Sequence, residues 1–299
     1  MKPLVECVPN FSEGRRPEVV KAIAAAIAAV PGVRVLDHEA DANHNRCVIT
    51  FVGDPEAALR GAFEGARTAV TLIDMETHTG EHPRVGAMDV CPFVPISGVT
   101  LEDCVSLARR LGERVAGELG VPVYFYEAAA TRPERKALPD VRKGEYEGLK
   151  AEIATNPARA PDLGPLRLHP TAGATIIGAR PPLIAYNVNL KTSDLSVAKK
   201  IAKAIRERDG GLPAVRALGM ELKDRGLVQV SINLVDYKKT PPHVVFEKVR
   251  QEAAMLGVEV VGSEVVGLIP LEAVVMAADH ALKLEGFTAN QVLESRLSE

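Results

Sequence analysis

Two histidines, two carboxylates, an arginine and two glycines fall within twelve residues: His78-Thr79-Gly80-Glu81-His82-Pro83-Arg84-Val85-Gly86-Ala87-Met88-Asp89. Histidine, with an ordinary pKa of ~6.5, is the side chain best matched to moving a proton near neutrality. Connectors usually run about 4–6 residues. A longer one, dense in polar groups, reads as a reactive loop carried by a rigid scaffold, with His82 as its proton carrier. The other reading is a solvated connector whose histidines are incidental. His78 and His82 have the four-residue spacing of a helical metal pair. Gly80 and Pro83 would break such a helix, and no third His or Cys lies nearby, so no metal is expected.

Two further stretches carry polar groups. Asp37-His38-Glu39-Ala40-Asp41-Ala42-Asn43-His44-Asn45-Arg46 lies between two apolar runs. A hairpin turn needs about two of these residues. The rest either line a cleft, with Glu39 as an acid and Arg46 as an anion binder, or form an exposed hairpin. The third stretch runs from Gly164 through Pro165, Leu166, Arg167, Leu168, His169, Pro170, Thr171, Ala172 and Gly173 to Arg180. Its glycines permit close approach of a ligand to the backbone. It matches neither dinucleotide nor phosphate-loop patterns, so a nucleotide is not implied.

The elements that must position these residues follow from periodicity and caps. Strands are expected at Leu4–Val8, Val33–Asp37, Cys47–Val52, Val90–Ile96 and Pro122–Tyr126. Helices are expected from Pro17 to Val30, from Asp54-Pro55-Glu56 to about Ile73, and from Leu101 to Leu119, ended by Gly120. The charged, Pro-rich stretch Thr131–Pro165, with Arg132, Arg135, Lys136, Arg142 and Lys143, reads as a short helix plus a connection between domains. The second half repeats the plan. Strands are expected at Leu183–Leu190, Val215–Leu222, Val228–Leu234 and Glu259–Val261, and helices at Leu195–Arg208, Pro242–Leu256 and Leu271–Leu282. Each half thus contains β-α-β-β-α-β, the split βαβ or ferredoxin-like unit. The fold class is α+β: two such subdomains, residues 1–178 and 179–299, each a mixed or antiparallel sheet with helices on one face and a ligand cleft between them.

Composition limits what such a chain does. Of 299 residues, 46% are hydrophobic and Trp is absent, so Val, Ile, Leu and Ala must fill the core. The net charge of −3 comes from interspersed charges, which argues against nucleic acid as a partner. No run approaches the ~18 apolar residues of a membrane span. The N-terminus lacks a signal peptide's apolar region. Cys7, Cys47, Cys91 and Cys104 form no CxxC pair and lie in apolar runs, as reduced core residues of a cytoplasmic protein would.

These clusters together resemble glutamate formimidoyltransferase, the transferase half of the bifunctional formimidoyltransferase-cyclodeaminase of histidine breakdown. The strings that carry the resemblance are Leu4-Val5-Glu6-Cys7-Val8-Pro9-Asn10-Phe11-Ser12-Glu13-Gly14, Gly80-Glu81-His82-Pro83-Arg84, Asp89-Val90-Cys91-Pro92-Phe93, Gly144-Glu145-Tyr146-Glu147, Gly173-Ala174-Thr175 with Gly178-Ala179-Arg180, and Val261-Gly262-Ser263. The resemblance covers essentially the whole chain and stops where a cyclodeaminase domain would begin. It implies transfer of a formimidoyl group from N-formimidoyl-L-glutamate to tetrahydrofolate, a co-substrate, with folate in the groove between the subdomains. It implies that His82 is the catalytic histidine and that Gly164 to Gly173 bind folate. Asn10, Arg46 and Arg84 are expected on the substrate side, the arginines gripping carboxylates through paired hydrogen bonds. Glu39 would orient the His82 ring, as the carboxylate of other histidine-based sites does. Animal members carry Asp at the position of Glu39, and Arg167, His169 and Thr171 depart from their folate segment. The resemblance also implies a homodimer. The alternatives are a formyl donor within the same family, a non-catalytic folate-binding protein, and a paired ferredoxin-like domain for another acidic metabolite.

Overall fold

Alternation of apolar and polar residues builds the first strands. The computed structural model describes residues 2–293 and 295; residues 1, 294 and 296–299, which the expected spans include, lie outside the described residues. In β1 (Leu4–Cys7), Val5 and Cys7 are buried while Leu4 and Glu6 are only partly so. The strand breaks at Val8-Pro9 and resumes as β2 (Asn10–Phe11); both pieces pair antiparallel with β4 (Arg46–Gly53) and β5 (Met88–Ser97). Antiparallel β3 (Arg34–Asp41) borders β4. Helix α1 (Pro17–Ala28) starts on a proline and buries Val19, Val20, Ile23 and Ile27, the spacing of one helical face. Helix α2 (Pro55–Leu72) is capped by Asp54, whose Oδ1 accepts from Ala57 N at 2.9 Å.

These elements form one βαββαβ unit, with strands side by side in the order β5, β1/β2, β4, β3. The first compact unit goes further. Helix α3 (Leu101–Leu119) opens on a Thr100–Asp103 capping box and stops at Gly120, which adopts φ +67°. It leads to β6 (Val123–Glu127), and β7 (Thr175–Ala179) then slots between β5 and β6, parallel to both. Helices α1 to α3 cover one face, where Phe11, Ile23, Phe51, Phe93 and Leu111 form the core.

The stretch read as an inter-domain connection belongs to this first unit, which extends to Arg180. Helices α4 (Leu138–Val141) and α5 (Glu145–Glu152) lie on the other face at the β5–β7–β6 end, where Val141, Leu149 and Ile153 pack with Val90, Tyr124 and Ile176. Their charges have buried partners. The Arg135 and Asp162 side chains are each 5% exposed and meet at 2.7 Å, and Asp162 Oδ2 also accepts from Phe125 N at 2.8 Å. The glycine-rich stretch likewise contains a central strand, buried at every position of β7.

The second unit begins at Pro181. It holds β8 (Ile184–Leu190), α6 (Leu195–Ile205), β9 (Val215–Leu222), β10 (Leu227–Leu234), α7 (Pro242–Met255), β11 (Val260–Val266) and α8 (Leu271–Leu282). Its antiparallel sheet has the order β11-β8-β10-β9, the same βαββαβ plan. Ile184, Tyr186, Val188 and Leu190 face the core with Ile201, Ile205, Val245 and Val249 from α6 and α7. Among the described residues, no helix is long and apolar enough to cross a membrane.

Removing one member of a buried ion pair strands the other's charge at a cost of about 3–5 kcal/mol. Asp162→Ala should therefore lower the denaturant midpoint by that equivalent. A midpoint equal to wild type would show that residues 131–165 are not held by this pair.

Candidate active site

The hairpin between β3 and β4 is tighter than its polar sequence suggests. The strands run to Asp41 and from Arg46, so only residues 42–45 turn. Glu39 therefore lies in β3, paired with Val48, and Asp41 pairs with Arg46. His44 N donates to Asp41 Oδ1 at 2.8 Å, and its Nδ1 lies 3.0 Å from Asp41 Oδ2. Asn45 sits at φ +48°, a conformation asparagine tolerates better than most residues. It is buried and ties three segments together. Its Oδ1 accepts from Gly14 N at 3.0 Å, its Nδ2 donates to Thr79 O at 2.9 Å, and its carbonyl lies 2.9 Å from His78 Nε2. A Cβ on Gly80 would stand 2.3 Å from His44 O, so the loop approaches the turn only because residue 80 is glycine. Asn45 was not singled out by its sequence; its place in a tight turn is the only signal it carries.

The loop from Ile73 to Ala87 is fastened at both ends to the turn at Pro170. Met75 N donates to Thr171 O at 2.7 Å, and Ala87 N to Ala172 O at 2.9 Å. That turn closes through main-chain bonds between His169 and Gly173, while His169 Nδ1 accepts from Ala172 N at 3.0 Å. Upstream, Gly164 takes φ +91°, Leu166 and Arg167 are exposed, and Leu168 packs on the core. Pro165 lies partly buried before them, and Pro170 and Thr171 are exposed on the turn.

Arg84 is committed within the protein. Its Nη1 donates to Glu145 Oε2 (2.8 Å) and Glu147 Oε2 (2.9 Å), and its Nη2 to Glu147 Oε1 (2.6 Å). The carboxylates it was expected to take from a substrate are thus supplied by α5. Its Nε donates to His78 Nδ1 at 3.3 Å, so both His78 ring nitrogens are engaged and unavailable for a metal shared with His82. Among the described residues, no group of three or more His, Cys, Asp and Glu side chains is placed to hold a metal ion.

His82 lines a narrow cleft with Phe11, Ser12, His44, Asn45, Arg46, His78, Arg84 and Asp89. Burial pulls the imidazole down to about 3, reinforced by the positive charges of Arg46 and Arg142 and by His44, against a weaker opposing bond from Pro83. The His44 and His82 rings meet edge to face, 6.2 Å between centroids. Arg46 donates through Nε (3.0 Å) and Nη2 to Asn10 Oδ1, and Asn10 Nδ2 donates to Val8 O at 2.9 Å. Asp89, buried, accepts from Val85 N at 2.8 Å and pairs with Arg142 Nη2. The groups acting on the His82 ring are these cations and His44. Glu39 is exposed on β3 and is not among them. Asp89 was noted only as the end of the loop and Arg142 only as part of a charged stretch; no local pattern reveals their pairing.

The structure thus brings together a half-buried imidazole without its proton, guanidinium groups whose charge acts on it, and a loop hung on a glycine-rich turn. The chain belongs to the formiminotransferase family. Residues 4–180 match the N-terminal subdomain of the formiminotransferase domain, and residues 185–295 match the formiminotransferase domain. The chain is 46% identical to a glutamate formimidoyltransferase of Streptococcus pyogenes serotype M1 over 99% of both chains. It is 52% identical to a glutamate formimidoyltransferase of Thermoplasma acidophilum, over 99% of this chain and 98% of that one. It is 49% identical to the formimidoyltransferase-cyclodeaminase of Mus musculus, over 93% of this chain and 52% of that longer one.

A group held near pKa 3 stays neutral throughout the range where a free histidine titrates, near 6.5. In the unliganded protein, the His82 ring resonance should not move between pH 8 and 5. Because the unfolded chain binds the proton that the folded one refuses, His82 should make stability fall as pH drops below about 6.5. His82→Gln should flatten that slope. A His82 titration centred near 6.5 by NMR would contradict the electrostatics described here.

Proposed function

We propose that this chain transfers the formimidoyl group of N-formimidoyl-L-glutamate to N5 of tetrahydrofolate, giving 5-formimidoyltetrahydrofolate and L-glutamate. The observation that carries the reading is the match to relatives named glutamate formimidoyltransferase over nearly the whole of both chains. The His82 cleft supports it by supplying the proton carrier such a transfer requires.

In this reading, the N5 lone pair attacks the formimidoyl carbon and a C–N bond forms. The N5 proton passes to the His82 ring, which is neutral and ready to accept it. The tetrahedral adduct then collapses: the bond from carbon to the glutamate nitrogen breaks, and the imidazolium returns its proton to that nitrogen. One base that becomes an acid balances both halves. Arg46, held by the uncharged Asn10 side chain, keeps its positive charge for a substrate carboxylate. That carboxylate offsets part of the field that depresses His82, so the base strengthens when the donor is in place. The segment Gly164–Gly173 takes the folate. It supports this role by carrying the exposed Leu166 and Arg167 beside the turn on which the His82 loop hangs. Glu39, on β3 and cross-strand from Val48, lies two pairs along from the Asp41–Arg46 pair and reaches substrate rather than the His82 ring.

A cytoplasmic location and a homodimer belong to the same proposal. The four thiols are free and buried, as suits a reducing compartment. Val261, Val265 and Val266 of β11, with Leu271 and Val274 of α8, offer exposed apolar surface to a second copy.

Purified protein should form 5-formimidoyltetrahydrofolate from the two substrates in a spectrophotometric assay. Loss of a general acid–base group costs about 10²–10⁴ in rate, so His82→Gln should lower kcat by that factor and leave the binding of both substrates near wild type. Turnover of N-formyl-L-glutamate in preference to the formimidoyl donor would reassign the reaction, and full activity in His82→Gln would remove His82 from it.

A further inference from the structure

The cation that the proposed function leaves unused is Arg142. It follows α4 directly, some sixty residues beyond the His82 loop, and its side chain is only 12% exposed. Its Nη2 is held by Asp89, a lining residue of the His82 cleft. Its Nε is buried with no hydrogen-bond partner. A buried donor left unmade is costly and calls for an explanation. Arg142 also stands close enough to Arg46 and to the His82 ring for its charge to act on both.

Charge balance sharpens the point. Arg84 is neutralised by Glu145 and Glu147. Arg46 rests on a neutral amide. Asp89 gives one oxygen to the Val85 amide and the other to Arg142, and its charge also acts on Arg46 together with that of the exposed Asp41. Two like charges held beside a half-buried imidazole are tolerated when an anion joins them.

We propose that Arg142 is a second substrate-binding arginine, which with Arg46 takes the glutamate carboxylates of the formimidoyl donor over His82, and that Asp89 is the positioning residue that holds it there. This rests on the function proposed above and names the group that selects the donor. The glutamate tail of tetrahydrofolate also carries carboxylates. Its p-aminobenzoyl group separates them from N5, whereas the donor's carboxylates lie a few bonds from the carbon transferred beside His82. The donor is therefore the anion that Arg142 meets.

The test is two-substrate kinetics on Arg142→Gln and Arg142→Lys. A hydrogen bond to a charged group supplies about 1.5–3 kcal/mol, so Arg142→Gln should raise the donor KM about 10–100-fold, with the tetrahydrofolate KM changed less than about 2-fold. Arg142→Lys keeps a charge for Asp89 but lacks the planar fork, so it should fold normally and recover only part of the loss. As an independent readout, adding L-glutamate to wild-type protein should move the His82 NMR titration upward, and adding it to Arg142→Lys should move it less. An unchanged donor KM in an active Arg142→Gln enzyme would overturn the inference. So would a rise confined to the tetrahydrofolate KM, or a loss of melting temperature with both KM values intact. If the wild type transfers no formimidoyl group, the function proposed above fails, and the glutamate-dependent His82 shift still decides whether Arg142 holds that anion.

Discussion

Three ion pairs drawn from distant parts of the chain hold the site together. Arg84 grips Glu145 and Glu147, and Asp89 grips Arg142, so residues 142–147 are fixed against the loop that carries His82. The Asp89 side chain is 3% exposed and that of its partner Arg142 12%, so breaking that pair strands a largely buried charge. The same constraint sets the backbone. Gly86 passes so near the Ala174 carbonyl that a Cβ there would stand 1.8 Å from its oxygen, and Ser12 Oγ donates to the Gly86 carbonyl at 2.8 Å. Loop, turn and α5 segment are therefore one assembly, and the cleft exists only while they stay docked.

The partners chosen for the three arginines matter as much as their positions. Two carboxylates consume the charge of Arg84, which becomes an anchor. An amide oxygen holds Arg46 without cancelling it. Arg142 keeps a single carboxylate partner and an unmet Nε–H. The resulting positive field reaches the His82 ring and, with burial, keeps it unprotonated. An imidazole depressed this far is a weak base, and an anion bound by the same guanidinium groups would strengthen it.

Contacts between neighbours in sequence leave local marks. Asp54-Pro55 marked the start of α2 because capping is a contact between neighbours in sequence; the Thr100–Asp103 capping box that opens α3 is the same kind of contact and went unread. The His82 loop stood out by its polar density. Strand β7 was overlooked because both its faces are buried, which erases the alternation that marks a half-exposed strand. Gly178 added to the disguise. It looks like a loop residue, yet its Cβ would stand 2.4 Å from the Tyr126 ring, so it is needed for close strand packing. The stretch Thr131–Pro165 looked like a linker because it is charged. Its charges instead meet Asp162, Asp89, Arg84 and Glu76. Such pairs depend on proximity created by the fold, and no spacing in the sequence announces them.

The second unit supplies an internal control for what the chemistry requires. Both units share the βαββαβ order. Between the second helix and the fourth strand of that plan, the second unit needs only residues 256–259, whereas the first spends residues 73–87. The short version demonstrates that the fold closes without a long connection. The added length in the first unit is therefore not a demand of topology, and neither are β6, β7, α4 and α5, which have no counterpart among the described residues of the second unit. The cost of ordering those extra residues is met by contacts that converge on one place: the Pro170 turn holds both ends of the loop, and α5 holds its middle through Arg84. The loop that carries His82 is thus held by parts of the first unit that the plain plan does not need.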